Sequence, residues 1–121
     1  MTDILKEIAE DTRKRVESCK LRIPMSQMVS ESEKLEKDTG FPFEKALSED
    51  GISLICEIKR ASPSKGIIAE DFPYMDIARD YDQGGASCIS VLTEPRWFLG
   101  SDDYLRQIAA SVVLHSWPTE P

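Results

Sequence analysis

Charged and hydroxyl side chains cluster in the stretch EIKRASPSKGI, which begins at Glu57 directly after the apolar run ISLIC. Side chains alternate between the two faces of a strand, so Glu57 and Lys59 share one face, about 7 Å apart. Ser62, Ser64 and Lys65 add two hydroxyls and a second cation on a loop. This combination predicts a site for an anionic substrate.

The same residues also fit two structural interpretations. A Glu-x-Lys pair can be a solvated ion pair at a strand end, and Ser-Pro-Ser-Lys-Gly can be an ordinary turn, since it lacks the pattern of a phosphate-binding loop. The position of the charges favours a site. The face with Ile52, Leu54, Cys56 and Ile58 is apolar throughout, whereas the opposite face becomes ionic only at its C-terminal end.

A second loop carries the large apolar residues Trp97 and Phe98 at the same end of the predicted sheet as Lys59. Packing between helices explains such residues, because tryptophan is usually largely buried. An aromatic pocket for a ring-bearing substrate explains them equally well. Both interpretations stay open at this point.

The elements that must position these residues follow from periodicity and turn signals. An amphipathic helix is predicted from Ile4 to Cys19, then a solvated linker from Ser30 to Gly40 and a short helix from Phe43 to Leu47. Two strand and helix units follow, with strands at Ile52 to Lys59 and Ser87 to Thr93 and helices at Tyr74 to Gln83 and Asp102 to Ser111. Long loops after the strands and short loops after the helices predict a parallel α/β protein with its chemistry at the C-terminal strand ends.

Helix-end signals support these bounds. Asp71 and Pro73 fit an N-cap and a first-turn proline, and Ser101 or Asp102 fits the N-cap of the last helix. Gly84-Gly85 supplies a left-handed stop. The tail SVVLHSWPTEP differs, because its strand-like start has no following helix to cover it, and we assign its His115 no catalytic role.

Charge and length exclude several classes of function. The 121 residues allow one domain, and the net charge of −7, from 22 acidic and 15 basic residues, argues against nucleic acid as a partner. No apolar run approaches the roughly 20 residues that span a bilayer, and the N-terminus is too charged for a signal peptide, so we expect no membrane association and a cytoplasmic location. Three widely spaced cysteines predict reduced, buried thiols, with neither a disulfide nor a metal site.

Two long runs, ICEIKRASPSKGIIAEDF and ARDYDQGGASCISVLTEPRWFLGSDDYLRQIAASV, closely resemble the N-terminal part of the indole-3-glycerol-phosphate synthase family. ILKEIAEDTRKRV resembles the helix that precedes the family's barrel, and FPFEKAL resembles the segment leading into its first strand. The resemblance covers roughly residues 1–112. Its E-x-K-R-x-S-P-S strand end separates the family from other phosphate-sugar barrels.

This resemblance implies a (β/α)8 TIM barrel and a lyase of tryptophan biosynthesis. Its reaction is ring closure, decarboxylation and dehydration of 1-(2-carboxyphenylamino)-1-deoxyribulose 5-phosphate, with no cofactor or metal. Lys59 matches the lysine that meets the substrate's negative charge and assists ring closure, and Glu57 matches a carboxylate of the same polar network. Ser62 matches a substrate-contacting serine, and Phe98 matches an aromatic wall for the anthranilate ring.

The resemblance also predicts an incomplete barrel. Family members continue with a third strand that ends in K-D-F, where this sequence reads SVVLHSWPTEP. We therefore divide the chain into a helical extension at 1–50, two βα units at 51–111 and an off-pattern tail at 112–121. We expect it to be marginally stable and inactive alone. The alternative is a non-catalytic partial barrel that pairs with a complementary chain, or with a fused pathway enzyme, or binds small anions.

Overall fold

The computed structural model describes residues 3–112, so the tail predictions, including the strand at SVVLH and His115, lie outside the described residues. The described residues form five helices and four short strands. In chain order these are α1 (Ile4–Arg22), α2 (Met25–Glu33), α3 (Pro42–Leu47), β1 (Ile55–Ile58), β2 (Ala61–Ser62), β3 (Gly66–Ile67), α4 (Tyr74–Gln83), β4 (Cys88–Val91) and α5 (Asp102–Ser111). They belong to two compact units that meet in sequence between Thr39 and Gly40. The predicted limits at 50 and 111 stay a prediction.

The first unit consists of α1 and α2. Helix α1 begins at an N-cap, Asp3, whose carboxylate accepts a hydrogen bond from the Leu5 backbone N–H at 3.0 Å. Neither helix contains a buried residue. The predicted linker is wrong at its start, because α2 continues to Glu33. An i,i+4 hydrogen bond from Gln27 to Glu31 (3.1 Å) supports this polar stretch as a helix.

The second unit is built around a parallel pair of strands, β1 and β4. Glu57 lies opposite Ser90 in the register, and the Leu92 N–H continues the ladder to the Ile58 carbonyl at 3.1 Å. Both strands are shorter than predicted. Within the described part of the chain each pairs only with the other, so regular structure ends where this single ladder ends.

The core of the second unit lies between β1 and the helices α4 and α5. Its fully buried members are Ile58, Ala78 and Ile108, with Phe72 and Tyr81 among the half-buried residues packed around them. Ile58 is 1% exposed while its neighbour Glu57 is exposed, which confirms the alternation predicted for this strand.

Helices α4 and α5 have the bounds predicted from the sequence, but one cap differs. Ser101 caps α5, and its hydroxyl accepts a hydrogen bond from the Asp103 N–H at 3.2 Å. The N-cap of α4 is Pro73, without a side-chain bond, so the prediction of Asp71 is wrong. Asp71 lies two residues too early to reach the first free amides of the helix. Of the two glycines after α4, only Gly85 is left-handed, with φ +95°.

The loop after β1 contains a small antiparallel hairpin of β2 and β3. Ser62 lies opposite Gly66, which has φ +64°, and the expected turn connects the two strands. The sequence predicted the turn but not the pairing. Strands of two residues are too short for an alternating pattern to be recognised.

The cysteines are free, and their exposure differs. Cys88 is buried, Cys56 is half-buried and Cys19 is exposed on α1, so burial was wrongly predicted for Cys19. Removal from water raises the pKa of the Cys88 thiol above its ordinary value. Separately, no helix among residues 3–112 is both long and apolar enough to cross a membrane.

Candidate active site

The end of β1 brings two predicted site residues into contact. The Lys59 Nζ lies 3.7 Å from the Glu57 Oε1, and the two side chains are 36% and 46% exposed, respectively. The Ser90 hydroxyl donates to the Glu57 Oε2 at 3.3 Å from the neighbouring strand. The Tyr81 hydroxyl of α4 donates to the Glu57 backbone carbonyl at 2.9 Å. Both strands and a helix therefore hold Glu57, the carboxylate through Lys59 and Ser90 and the backbone carbonyl through Tyr81.

Ser62, the third predicted residue, lies in the hairpin that follows β1. Its side chain is nearly buried, and its Oγ accepts a hydrogen bond from the Lys65 N–H at 3.2 Å. The Ser64 Oγ is 3.5 Å away. This places two hydroxyls together on the turn beyond Lys59, as the sequence predicted. Ser62 therefore lies on the hairpin that follows the ion pair and is not a member of that pair.

Arg60 ties that loop to the body of the second unit. Its guanidinium donates to the Glu70 carbonyl at 3.2 Å and reaches the Tyr104 hydroxyl of α5 at 3.5 Å. Its own carbonyl accepts from the Ile68 N–H at 2.8 Å. The Tyr104 ring packs edge-on against Phe72, with centroids 5.4 Å apart. Sequence reasoning missed this role, although Arg60 lies within the charged stretch that it singled out.

Phe98, the fourth predicted residue, lies on the loop that follows β4. Its backbone N–H donates to the Glu94 Oε2 at 3.1 Å, and its side chain is half-buried. The neighbouring Trp97 is also half-buried, and the Arg96 guanidinium carbon lies 5.0 Å from the centre of its ring. The two aromatic residues are therefore carried by a loop whose fold depends on Glu94.

Ser90 and Glu94 are the site residues that the sequence did not reveal. The signal for Ser90 was its place on the strand SCISVLT, but its contact with Glu57 depends on the register of the two strands. Aligning the C-terminal ends of the predicted strands, Lys59 and Thr93, would have placed Glu57 opposite Val91 instead. Glu94 follows the same strand. Its carboxylate binds backbone amides, so no particular residue type in the sequence indicates these contacts.

The geometry suits anion binding better than metal binding. Within residues 3–112 no group of three or more histidine, cysteine or acidic side chains is arranged to hold a metal ion. Lys59, the hydroxyls of Ser62 and Ser64, and the aromatic loop instead follow the carboxyl ends of adjacent parallel strands. That edge of a parallel sheet is where α/β proteins bind ligands.

Comparison with known proteins decides the family. The family model of indole-3-glycerol phosphate synthase matches residues 5–118. The chain belongs to the indole-3-glycerol phosphate synthase family. This confirms the resemblance recognised in the sequence motifs.

Individual relatives give the same result. The indole-3-glycerol phosphate synthase of Ruminiclostridium cellulolyticum is 52% identical over 109 residues, which are 90% of this chain and 42% of the relative. Those of Lachnoclostridium phytofermentans and Endomicrobium trichonymphae are 44% and 48% identical, over 90% of this chain and 44% and 42% of each relative. The chain thus spans about two fifths of the length of these synthases.

Proposed function

We propose that this chain forms the first part of an indole-3-glycerol phosphate synthase, a (β/α)8 barrel, and supplies its first two strand ends to the active site. The described residues make up a helical region followed by two βα units, with β1 and β4 as neighbouring parallel strands. In a barrel of this type the catalytic residues lie at the C-terminal ends of the strands. Glu57, Lys59 and the loop bearing Phe98 occupy those positions.

The reaction places clear demands on these residues. The aromatic carbon that bears the carboxylate attacks the ketone carbon of the sugar chain, and the ketone oxygen must gain a proton. The carboxylate leaves as carbon dioxide, the hydroxyl leaves as water, and loss of a proton completes the indole ring. A fixed cation near the substrate carboxylate and the ketone stabilises the charge that changes during closure.

Each residue has a role that fits its surroundings. Lys59 binds the anionic substrate and assists ring closure, and Glu57 holds the Lys59 ammonium in place. Ser62 contacts the substrate from the hairpin, and Phe98 forms one wall for the anthranilate ring. The substrate is a phosphorylated small molecule, and a biosynthetic reaction of this kind belongs in the cytoplasm.

One observation carries the proposal: a lysine and a glutamate are in contact at a strand end, within a family match that covers most of the chain. The Nζ to Oε1 distance is 3.7 Å, and Ser90 donates to the same carboxylate. An ion pair this exposed contributes little to stability, so its role is better sought in ligand binding.

A composite protein tests the proposal. Residues 5–112 of this chain replace the matching part of the R. cellulolyticum relative, which supplies the rest of a barrel. We expect the composite protein to convert the carboxyphenylamino-deoxyribulose phosphate to indole-3-glycerol phosphate, followed by indole fluorescence. The intact relative is the positive control. A folded composite protein without activity would contradict the proposal.

A second candidate function is a partial barrel that pairs with a complementary chain. The apolar residues Ile52, Leu54 and Ile55 around β1 are 92%, 52% and 54% exposed, which leaves an apolar surface for further strands. Co-expression with the remaining part of the R. cellulolyticum relative as a separate chain tests it. Pairing predicts that the two chains purify together; independent elution would argue against it.

A further inference from the structure

The loop of residues 94–100, between β4 and α5, is organised by one side chain. The Glu94 Oε1 accepts a hydrogen bond from the Arg96 N–H at 2.9 Å. The Glu94 Oε2 accepts from the Trp97 N–H at 2.6 Å and from the Phe98 N–H at 3.1 Å. A carboxylate that accepts three backbone N–H groups fixes the course of the chain, since each bond is charge-assisted.

The same loop is closed by backbone contacts at its far end. The Gly100 N–H donates to the Glu94 carbonyl at 2.8 Å, so both the side chain and the main chain of Glu94 hold the loop. Between them Leu99 has φ +50°, a left-handed conformation that is costly for a residue other than glycine. Such strain persists only where the surroundings determine the conformation, and it is concentrated near functional sites.

The hydrogen bonds of the Glu94 carboxylate go to the backbone of its own loop. Both carboxylate oxygens are engaged by amides of its own loop, whereas Glu57 directs one oxygen to Lys59. The amides that Glu94 binds include that of Phe98, the residue proposed as the aromatic wall. Glu94 therefore bonds directly to the backbone of the residue that carries that ring.

We propose that Glu94 is a positioning residue that sets the substrate affinity of the site by fixing the loop that carries Phe98. This inference rests on the proposed function, because it gives Phe98 the role of a wall for the substrate ring. Glu94 acts only through the loop and takes no part in proton transfer. Its effect must therefore disappear when the Phe98 ring is absent.

Hydrogen exchange of the 94–100 peptide tests the loop contacts independently of any activity. The Glu94→Ala substitution is made in both the full chain and the composite protein. We expect the amides of this peptide to exchange at least about tenfold faster in both, because three hydrogen bonds are lost. Glu94→Gln keeps one acceptor oxygen and should give an intermediate rate. Glu70→Ala, an exposed glutamate on the loop after β3, is the matched control. Unchanged exchange in Glu94→Ala would overturn the inference.

A double-mutant cycle in the composite protein then tests positioning. We expect Glu94→Ala to raise KM about tenfold, with a smaller change in kcat. In a protein that already carries Phe98→Ala, the same substitution should raise KM by less than about twofold. Glu94→Gln should restore part of the affinity and leave the pH profile unchanged. Equal losses with and without the Phe98 ring would overturn the inference. An inactive composite protein whose loop still depends on Glu94 would instead contradict the proposed function.

Discussion

At the scale of single residues, the Glu57 and Lys59 pair is too exposed to be explained by stability. Exposed ion pairs contribute about 0–1 kcal/mol, and this one, at 3.7 Å, lies near the outer limit of contact. Its surroundings nevertheless hold Glu57 at two points, the carboxylate through Ser90 and the backbone carbonyl through Tyr81. The C-terminal ends of parallel strands are where α/β proteins place their functional residues.

This contrast gives the first prediction, for Glu57→Gln in the composite protein. We expect the free energy of unfolding to change by less than about 1 kcal/mol, because the pair is half-exposed. Activity should fall about tenfold or more, because the Lys59 ammonium loses its fixed partner. Urea unfolding and indole fluorescence measure the two effects.

The matched control for that variant is Asp76→Asn. Asp76 lies in the first turn of α4 and forms an exposed ion pair with Arg79 at 3.2 Å. It should show the same small change in stability and unaltered activity. A Glu57→Gln variant that keeps full activity would contradict the assigned role.

Gly100 gives a second prediction at this scale. A Cβ at this position would overlap the Leu92 carbonyl oxygen and lie 2.7 Å from the Thr93 carbonyl carbon. Those atoms belong to the backbone and cannot move aside easily. Gly100→Ala should therefore destabilise the composite protein by about 1–3 kcal/mol.

Gly84→Ala is the comparison for Gly100→Ala. There the nearest atom to an added Cβ is the Asp80 carbonyl oxygen at 3.1 Å, so a small shift suffices. Denaturation midpoints of both variants measure the difference. Equal midpoints would show that the 94–100 loop tolerates a side chain at its end.

At the scale of elements, α5 depends on its N-cap. The Ser101 hydroxyl accepts from the Asp103 N–H at 3.2 Å, and Asp102 and Asp103 place negative charge in the first turn. Ser101→Ala should cost about 1 kcal/mol of stability in the composite protein. Ser111→Ala, at the exposed end of the same helix, serves as the control and should cost much less. Equal losses would mean that the cap contributes nothing.

The sequence predicted elements wherever local signals agreed with packing. Helices α4 and α5 have strong apolar periodicity, so their bounds were right, although the N-cap of α4 was wrongly assigned to Asp71. The strands were predicted too long, because their ends depend on pairing rather than on residue type. Helix α2 and the β2–β3 hairpin were missed, since a polar helix and two-residue strands give weak patterns.

The candidate site was predicted as far as it lies within one segment. Glu57 and Lys59 are two residues apart, so alternation alone predicted that their side chains share a face. The contact of Ser90 with Glu57 joins residues 33 positions apart, and that of Arg60 with Tyr104 joins residues 44 positions apart. Such contacts follow from strand register and helix packing, which the spacing of residues does not encode.

At the scale of the whole molecule, the second unit has a small core and an open apolar surface. Its fully buried cluster contains Ile58, Ala78 and Ile108, while Ile52 is 92% exposed. We therefore expect the 121-residue chain alone to unfold over a broad range and to bind a hydrophobic dye. Calorimetry of the chain beside the composite protein measures this. A cooperative transition of a monomeric chain would contradict it.

The activity of Lys59→Met in the composite protein tests the proposed role of the β1 strand end. Methionine keeps most of the apolar stem of Lys59 and removes its charge, and Lys14→Ala on the exposed face of α1 is the control. We predict that kcat/KM for indole-3-glycerol phosphate formation falls at least about 100-fold in Lys59→Met, because the proposed function places this cation at the reacting centre. The control should retain full activity. A folded Lys59→Met variant within about twofold of the unaltered composite protein would contradict a catalytic role for this strand end.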